Sequence, residues 1–319
     1  MTQIAVAIVN YNTIGDLRNC LATVRAAGAT EIVLKDNGST DGSVEMVERE
    51  FSEVRVLDSR DNPGYGAASN QAIAACRAPY VLLLNSDILL APETLDVLVE
   101  YLDAHPRAAI VGPRLRNPDG TLQRSAHAFP RPVTLRPVVR HIPGLRDRSL
   151  LTWPHDQPRV VQWVKGAALA IRRTAFDAVS GFDPAFFMYF EETDLCYRLH
   201  EAGWEIHFTP ATTIVHKGGA STEQMRADMA VQFYASMRQF YRYHYPTADL
   251  RRLDAVLRLQ SRLALARDRA RLLSTRDPRA AAILADDVRV WRRVLAGDWP
   301  VRPTPVSAPE PQEKIDHRP

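Results

Sequence analysis

The chain has 319 residues, of which 46% are hydrophobic and 24% are charged, which is enough apolar material to bury a large core. No apolar run approaches the ~18 residues that span a bilayer, and the first residues lack the features of a signal peptide. The three cysteines lie far apart without a CxxC motif, which excludes a disulfide scaffold and a zinc ribbon and predicts a cytoplasmic protein.

The net charge of +3 combines an acidic and a basic part of the chain. Residues 1–220 carry 22 Lys and Arg against 25 Asp and Glu, whereas residues 221–299 carry 15 against 9. Because a dedicated nucleic-acid-binding protein needs a basic body, nucleic acid is not expected as a partner. The basic segment is compatible with peripheral contact to an anionic membrane surface.

The N-terminal third alternates between strand and helix patterns. Apolar residues at helical spacing predict one helix that ends near Gly28 and another that begins at Pro92. Continuous apolar runs predict four strands, at 4–9, 32–34, 54–57 and 80–84. Strands separated by helices at this spacing predict a parallel sheet.

The middle of the chain has weaker patterns. Residues 112–160 are rich in Pro and Arg and lack periodicity, which predicts a long surface loop, or lid. A helix is then predicted at about 193–202, followed by two strands at 204–208 and 212–215.

The C-terminal part has a basic helical pattern over 221–299, interrupted near Pro246 and Pro278. The Pro-rich segment 300–319 is expected to be disordered. Basic and aromatic residues in the helical part suit anionic lipid or a polyprenyl diphosphate, and equally well a face packed on the body. These residues are Arg238, Arg242, Arg251, Arg252, Phe240, Tyr241, Tyr243 and Tyr245.

Polar, short-chained clusters follow all four predicted strands. Since the carboxyl ends of parallel strands meet at one edge, where open α/β sheets bind ligands, the clusters are expected to form one site. Each cluster by itself is also compatible with a turn or a helix cap. The clusters occupy residues 10–12, 36–42, 62–66 and 85–87.

Asp87 is the hardest of these residues to explain as a turn. A carboxylate that leaves a strand as apolar as 81–84 must be hydrated, paired or bound to a metal. A dinucleotide-binding site is an alternative, because residues 64–69 approach a GxGxxG motif. That alternative is disfavoured, since Ser69 replaces the third glycine and the motif follows the third strand.

A second group of candidates lies at 181–221. Glu191, Glu192 and Asp194 stand where a helix is predicted to begin, next to the aromatic run 186–190. Acidic residues there can simply complement the helix dipole, or one can act as a general base with a raised pKa. His216 precedes a glycine pair and is either structural or a ligand.

With these motifs in this order, residues 4–221 resemble the family 2 glycosyltransferases of the GT-A fold, in particular the rhamnosyltransferase-like branch. The resemblance implies an α/β fold in residues 1–220, with a Rossmann-like, mostly parallel sheet flanked by helices, followed by a C-terminal helical extension. It is carried by residues 6–12, 36–43, 62–70, 85–87, 181–196 and His216.

The resemblance also implies a donor site for a nucleoside diphosphate sugar, such as dTDP-rhamnose or a UDP-sugar. Asp36 would contact the base, and Mn²⁺ or Mg²⁺ would bind at Asp87, the last residue of a DxD-type motif, with His216 close by. Asn85 replaces the first carboxylate of that motif. The implied nucleotide-sugar residues are Asn10, Tyr11, Asn12, Asp36, Asn37, Ser39, Asn62, Gly64, Asn70, Asn85 and Ser86.

The implied reaction is inverting transfer to a hydroxyl of a glycan or a polyprenyl-linked glycan, in cell-wall or surface polysaccharide synthesis. Glu192 stands where the family usually has Asp and is the expected base, with Glu191 and Asp194 as the other catalytic candidates. The acceptor-side candidates are Trp163, Gly166, Phe187 and Tyr189.

Two other functions remain open at this point. A sugar nucleotidyltransferase would share the sheet and the metal, but needs a triphosphate loop near the first strand, which residues 10–12 do not provide. A non-catalytic scaffold that binds nucleotide sugars is the other alternative, if the acidic cluster is structural. The chain is compatible with a monomer or an oligomer.

Overall fold

A computed structural model of the protein describes residues 3–59, 61–130, 155–218 and 226–299. The predicted tail at 300–319 and most of the predicted lid, residues 131–154, lie outside the described residues. The described parts form an α/β body with a helical C-terminal part, as predicted.

The N-terminal third contains all four predicted strands at the expected positions, because their apolar runs are buried on both faces of the sheet. The stripe of α1, which includes Leu17 and Leu21, packs on this sheet. The elements are β1 (Ile4–Asn10), α1 (Ile14–Ala26), β2 (Ile32–Asp36), α2 (Ser43–Glu50), β3 (Val54–Leu57), α3 (Tyr65–Ala75) and β4 (Tyr80–Asn85).

The middle of the chain completes the sheet. Its elements are β5 (Ile88–Leu89), α4 (Thr94–Ala104), β6 (Ala108–Arg116), β7 (Leu122–Gln123), β8 (Ala126–His127), β9 (Arg159–Val161), β10 (Trp163–Val164), β11 (Ala168–Arg172), α5 (Arg173–Ala178), α6 (Glu191–Glu201) and β12 (Glu205–His216). The strand order is β3-β2-β1-β4-β11-β6-β12-β5, parallel among β3, β2, β1 and β4 and between β6 and β12. Only β11, antiparallel to both neighbours, separates the two parallel groups.

Two predictions for the middle of the chain are wrong. Residues 112–160 are not one irregular excursion, because β6 continues to Arg116 and β7, β8 and the start of β9 lie inside this range. The two strands predicted at 204–208 and 212–215 are one strand, β12, with an irregular register between Thr209 and Thr213. Pro210 lies inside that irregularity. Because proline has no N–H to donate to a neighbouring strand, its presence in the sequence suggests that one strand ends and another begins there.

Three helices form the C-terminal part: α7 (Arg226–His244), α8 (Thr247–Ser274) and α9 (Pro278–Ala296). The predicted interruptions are confirmed, since Pro246 precedes α8 and Pro278 begins α9. These helices share one hydrophobic cluster with the sheet, to which α7 contributes Phe240. No helix in the described parts of the chain is long and apolar enough to cross a membrane.

Several of the basic and aromatic residues that suit either a membrane, a diphosphate or a packed face are engaged inside the protein. Phe240 and Tyr241 are buried, and Tyr197 of α6 packs edge-on against Phe240. Arg238 forms a paired contact with Asp254 of α8, at 2.8 and 3.2 Å. The packed-face alternative is therefore correct for these residues.

Candidate active site

A cleft of about 420 Å³ opens at the carboxyl ends of β1, β2 and β4, bounded by the segment that leads into α6. Strands of a parallel sheet end together at this edge, so clusters far apart in sequence become neighbours. The predicted residues that line the cleft are Asn10, Tyr11, Asn37, Asn62, Asn85, Ser86, Asp87, Gly166, Phe187, Tyr189, Glu191, Glu192 and His216.

Asp36, the predicted base contact, is fully buried and does not line the cleft. Its carboxylate accepts hydrogen bonds from Asn10 Nδ2 (2.8 Å) and from the backbone N–H and hydroxyl of Ser39 (both 2.7 Å). Asn37 lines the cleft instead; its Nδ2 donates to Asn62 Oδ1 (3.3 Å), and its buried Oδ1 has no partner. The acceptor that the turn after β2 offers to the cleft is therefore the side-chain amide oxygen of Asn37.

Six other predicted residues also lie outside the cleft lining and have structural contacts. Ser39 and Asn12 tie the turn after β2 to that after β1, through the contact of Asn12 N–H with Ser39 Oγ (2.9 Å). Asn70 holds the backbone of Phe182, donating from Nδ2 (2.8 Å) and accepting at Oδ1 (2.9 Å). Asp194 pairs with Arg198 and His244, Trp163 stacks on His127, and Gly64 packs beneath Phe187.

Gly64 allows the start of α3 to approach the acidic segment closely. Its φ is +93°, in the region that favours glycine, and a Cβ there would lie 2.4 Å from Phe187 O. The neighbouring Tyr65 N–H donates to that same carbonyl (2.8 Å). This contact joins the start of α3, at the edge of the sheet where the cleft opens, to the segment before α6.

Replacing Gly64 with alanine is expected to lower the free energy of unfolding by about 2–4 kcal/mol, because backbone strain and overpacking add at this position. Denaturant unfolding followed by circular dichroism measures this change. Gly15→Ala is the control, since a Cβ at Gly15 meets nothing within 4 Å. Equal stability of the two variants would contradict the strain argument.

Asp87, His216 and Asn85 form a buried polar group at the end of β4. His216 Nε2 lies 3.4 Å from Asp87 Oδ1 and 3.5 Å from Asn85 Nδ2. Burial raises the pKa of Asp87, whereas a hydrogen bond and the charge of His216 in its protonated form, together with the Gly218 N–H, lower it; the net direction is downward.

The described residues contain no group of three or more His, Cys, Asp or Glu that could hold a metal ion. A buried carboxylate and an imidazole at one point fit a divalent cation that takes its remaining ligands from phosphate oxygens and water. The protein thus supplies a partial coordination shell.

Glu191 and Glu192 begin α6 and line the same cleft, but their surroundings differ. Both have a buried Oε2 without a hydrogen-bond partner. Glu191 is 4% exposed, and burial and the charge of Glu192 raise its pKa well above the ordinary value. Glu192 is half-buried, and burial raises its pKa too, while backbone N–H groups, including that of Gly166, and the charge of Lys165 oppose the rise. Glu192 is therefore the more readily ionised of the pair.

Two residues with a strained backbone directly precede Glu191 and Glu192. Tyr189 and Phe190, which directly precede α6, have φ values of +64° and +66°. Left-handed conformations cost non-glycine residues about 1–2 kcal/mol each. Phe233 of α7 packs against both rings, with centroids 5.6 and 5.5 Å away, and holds the strained segment in place. Strain of this kind is typical of functional sites.

The Glu191→Gln variant is expected to be more stable than the native protein at about pH 8 and equally stable at about pH 4. The raised pKa of Glu191 means that the folded state binds this proton more tightly than the unfolded state. Stability is therefore lost as pH rises from the unfolded value, about 4.3, towards the folded one. Thermal unfolding across this range tests the sign, with exposed Glu201→Gln as the control.

The predictions missed two residues that line the cleft, Lys165 and Met229, whereas Tyr65, Met188 and Gly218 lie within stretches that the sequence analysis put forward. Lys165 is the only Lys or Arg in the described lining. Burial lowers its pKa, while the carboxylates of Glu192 and Asp87 oppose this. The sequence did contain a sign of Lys165: lysine is rare in this chain, at four of the 40 basic residues, and Lys165 directly precedes the predicted site residue Gly166. Met229 belongs to α7, which sequence periodicity could not connect to the cleft.

Comparison with known proteins connects this chain to sugar transfer. The chain is 32% identical over 237 residues to the N-acetylglucosaminyl-diphospho-decaprenol L-rhamnosyltransferase of Mycobacterium tuberculosis, covering 68% of this chain and 76% of that protein. It is 29% identical over 161 residues to rhamnosyltransferase WbbL of Escherichia coli, covering 48% of this chain and 60% of that protein.

The fold is similar to that of mannosyltransferase PcManGT from Pyrobaculum calidifontis, solved with GDP-Man and Mn²⁺. The TM-score is 0.51 at 17% identity, over 92% of this chain and 87% of that one. The predicted GT-A fold is confirmed by this likeness and by the sheet described above. Residues 5–192 match the sequence profile of glycosyl transferase family 2. The chain is therefore a glycosyltransferase of family 2, related to the rhamnosyltransferases.

Proposed function

We propose that this glycosyltransferase is metal-dependent and inverting, and moves a sugar from a nucleoside diphosphate sugar to an acceptor hydroxyl. One observation carries the proposal: the Asp87–His216 pair and the Glu191–Glu192 pair line a single cleft. The charge of Lys165 interacts with both Asp87 and Glu192, so the two pairs lie within electrostatic reach of a common cation. A cation site and a base site on one cleft are what transfer from a diphosphate requires.

The donor lies along the ends of the strands in this proposal. Asn37 Oδ1, buried and without a partner, accepts a hydrogen bond from the base, and Asp36 holds the turn behind it. The diphosphate lies at Asp87 and His216. A divalent cation bound there supplies Lewis-acid stabilisation of the charge that develops on the leaving diphosphate. The Mn²⁺ in the mannosyltransferase structure supports this assignment.

Glu192 acts as the general base. Its carboxylate takes the proton of the acceptor hydroxyl as that oxygen bonds to the anomeric carbon, and the bond from this carbon to the diphosphate breaks. A single displacement of this kind inverts the anomeric configuration. The Gly166 N–H orients the Glu192 carboxylate and, with Lys165, favours its ionised form. Glu191, more deeply buried, stays protonated beside it.

The relatives support a deoxyhexose donor and a lipid-linked acceptor. The mycobacterial relative is named for transfer of L-rhamnose to N-acetylglucosaminyl-diphospho-decaprenol. We infer a donor such as dTDP-rhamnose and an acceptor sugar carried on a polyprenyl diphosphate. An apolar wall of the cleft, formed by Phe187, Met188, Tyr189 and Met229, provides a surface for a sugar ring or for the first isoprene units.

A thermal-shift panel with Mn²⁺ tests the donor class. The panel contains dTDP-rhamnose, several UDP-sugars and GDP-mannose. The matching donor is expected to stabilise the protein by about 2.7 kcal/mol at a hundred times its Kd, whereas the others shift Tm less. If no nucleotide sugar raises Tm, with or without Mn²⁺, the proposed donor site is wrong.

Peripheral membrane contact at the cytoplasmic face fits a lipid-linked acceptor, and we propose α8 as the contact. Three of its exposed arginines fall within about 40° of one another on the helix, next to a strip of exposed leucines. The acidic residue in this stretch, Asp268, is buried. These arginines and leucines are Arg258, Arg262, Arg269, Leu259, Leu263 and Leu273.

Flotation with vesicles tests this contact. Binding to vesicles that contain phosphatidylglycerol is expected at low salt, with little binding to phosphatidylcholine alone, because arginines interact with anionic head groups. Leu259→Gln combined with Leu263→Gln should abolish flotation, and Val160→Gln, at another exposed apolar residue, should not. No flotation of the native protein would overturn the proposal.

A further inference from the structure

Gln123 of β7 lies directly behind the candidate cation site, in the range predicted as an irregular loop. Its Oε1 accepts hydrogen bonds from His216 Nδ1 (2.5 Å) and from Lys165 Nζ (3.0 Å). Its Nε2 donates to Asn117 Oδ1 (2.8 Å). Gln123 does not line the cleft, so it acts on the cleft through the two side chains that its oxygen holds.

The orientation of the Gln123 amide is fixed from both ends of this network. At one end, the Lys165 ammonium can only donate, so the atom facing it is the oxygen. At the other end, the Asp119 carboxylate accepts from the Thr121 hydroxyl (2.6 Å), which accepts from Asn117 Nδ2 (2.8 Å). Asn117 therefore presents its own oxygen to Gln123 Nε2. Each hydrogen bond in the chain has one direction.

This orientation determines the tautomer of His216. Because Gln123 Oε1 can only accept, Nδ1 of His216 must carry the hydrogen. In the neutral imidazole, Nε2 then holds a lone pair. Nε2 lies 3.4 Å from Asp87 Oδ1, and His216 is buried, with 3% of its surface exposed. Two electron-pair donors, Nε2 of His216 and the Asp87 carboxylate, thus lie next to each other.

We propose that Gln123 is a positioning residue, which holds His216 in the Nδ1–H tautomer so that Nε2 and the Asp87 carboxylate together bind the cation. Ligating histidines are commonly oriented by a hydrogen bond from the other ring nitrogen, and loss of that bond weakens metal affinity about 10–100-fold. The proposal rests on the proposed function only for the diphosphate that completes the cation's shell.

The tautomer is measured without metal or substrate. In protein with ¹⁵N-labelled histidine, at a pH where the ring is neutral, ¹H–¹⁵N correlation through two bonds distinguishes Nδ1–H from Nε2–H. The resonances are assigned by their loss in His216→Gln. We expect Nδ1–H in the native protein and in Gln123→Glu, which keeps an acceptor. Gln123→Met, which removes the acceptor at similar size, should shift the ring towards Nε2–H.

Cation binding is measured by calorimetry, titrating Mn²⁺ in the presence of UDP and, separately, dTDP. Gln123→Met should weaken Mn²⁺ binding about 10–100-fold, and Gln123→Glu should bind it at least as tightly as the native protein. Gln157→Met, at an exposed glutamine, is the matched control and should leave both measurements unchanged.

The outcomes separate this proposal from the proposed function. An Nε2–H tautomer in the native protein, or the same tautomer in Gln123→Met, overturns the positioning role. A changed tautomer with unchanged Mn²⁺ affinity overturns the link to the cation. If the native protein binds no Mn²⁺ with either nucleotide, the metal-dependent function fails, while the tautomer result still decides the role of Gln123 towards His216.

Discussion

The Glu192→Gln variant is expected to lose about 10²–10⁴-fold in kcat while it binds the donor as tightly as the native protein. Glutamine keeps the size of the side chain and can still accept from the Gly166 N–H, but it cannot take a proton from the acceptor hydroxyl. Single-turnover kinetics measure the loss, and calorimetry with donor and Mn²⁺ measures binding. Undiminished turnover would remove Glu192 from the mechanism.

Glu191→Gln is the matched comparison, because glutamine imitates the protonated form proposed for Glu191. Its kcat is expected to stay within about tenfold of the native value. The native enzyme should also lose activity as pH falls through the raised pKa of Glu192, since the base must be ionised. A larger loss in Glu191→Gln than in Glu192→Gln would reverse the assignment of the two residues.

The Asp87→Ala variant is expected to lose about 100-fold or more in donor affinity, and to bind the donor equally with and without Mn²⁺. Asp87 is the one carboxylate of the DxD-type segment 85–87, so no neighbour in that segment can replace its charge. Calorimetry with UDP or dTDP, with Mn²⁺ or with chelator, measures the difference.

Asp87→Asn separates charge from structure in this experiment. Asparagine keeps an oxygen for the Gly218 N–H, which donates to Asp87 Oδ2 at 2.9 Å, but removes the negative charge. It should lose most of the metal dependence while unfolding at close to the native Tm. Asp96→Ala, at an exposed position on α4, is the neutral control. Retained Mn²⁺-dependent affinity in Asp87→Asn would place the cation elsewhere.

Local patterns predicted the N-terminal half of the fold well. The runs 4–9 and 80–84 are buried throughout, so their apolar character reports the strand directly. The breaks at Pro246 and Pro278 are also local, because proline disrupts a helix interior wherever it occurs. The strand Ala168–Arg172 was not predicted, since a short apolar run reveals neither its partners nor its antiparallel direction.

The candidate site shows the same division. The position of residues 85–87 at the end of a predicted strand, and the resemblance for Glu192, predicted these residues as part of the site. All of them line the cleft. The resemblance implied Asp36 as the base contact, whereas its neighbour Asn37 lines the cleft, because adjacent residues on a strand or turn point in different directions. It also gave no sign that Gln123 contacts His216, a residue 93 positions away.

By itself, the sequence determined the family, the parallel arrangement of the N-terminal strands, and the set of polar residues at their ends. These properties follow from residue type, spacing and order along the chain. Only the tertiary structure decided which glutamate of the acidic pair is more exposed, which asparagine presents an oxygen without a partner, and which side chain contacts Nδ1 of His216. Burial and hydrogen-bond direction depend on neighbours brought together from distant segments, so no local pattern contains them.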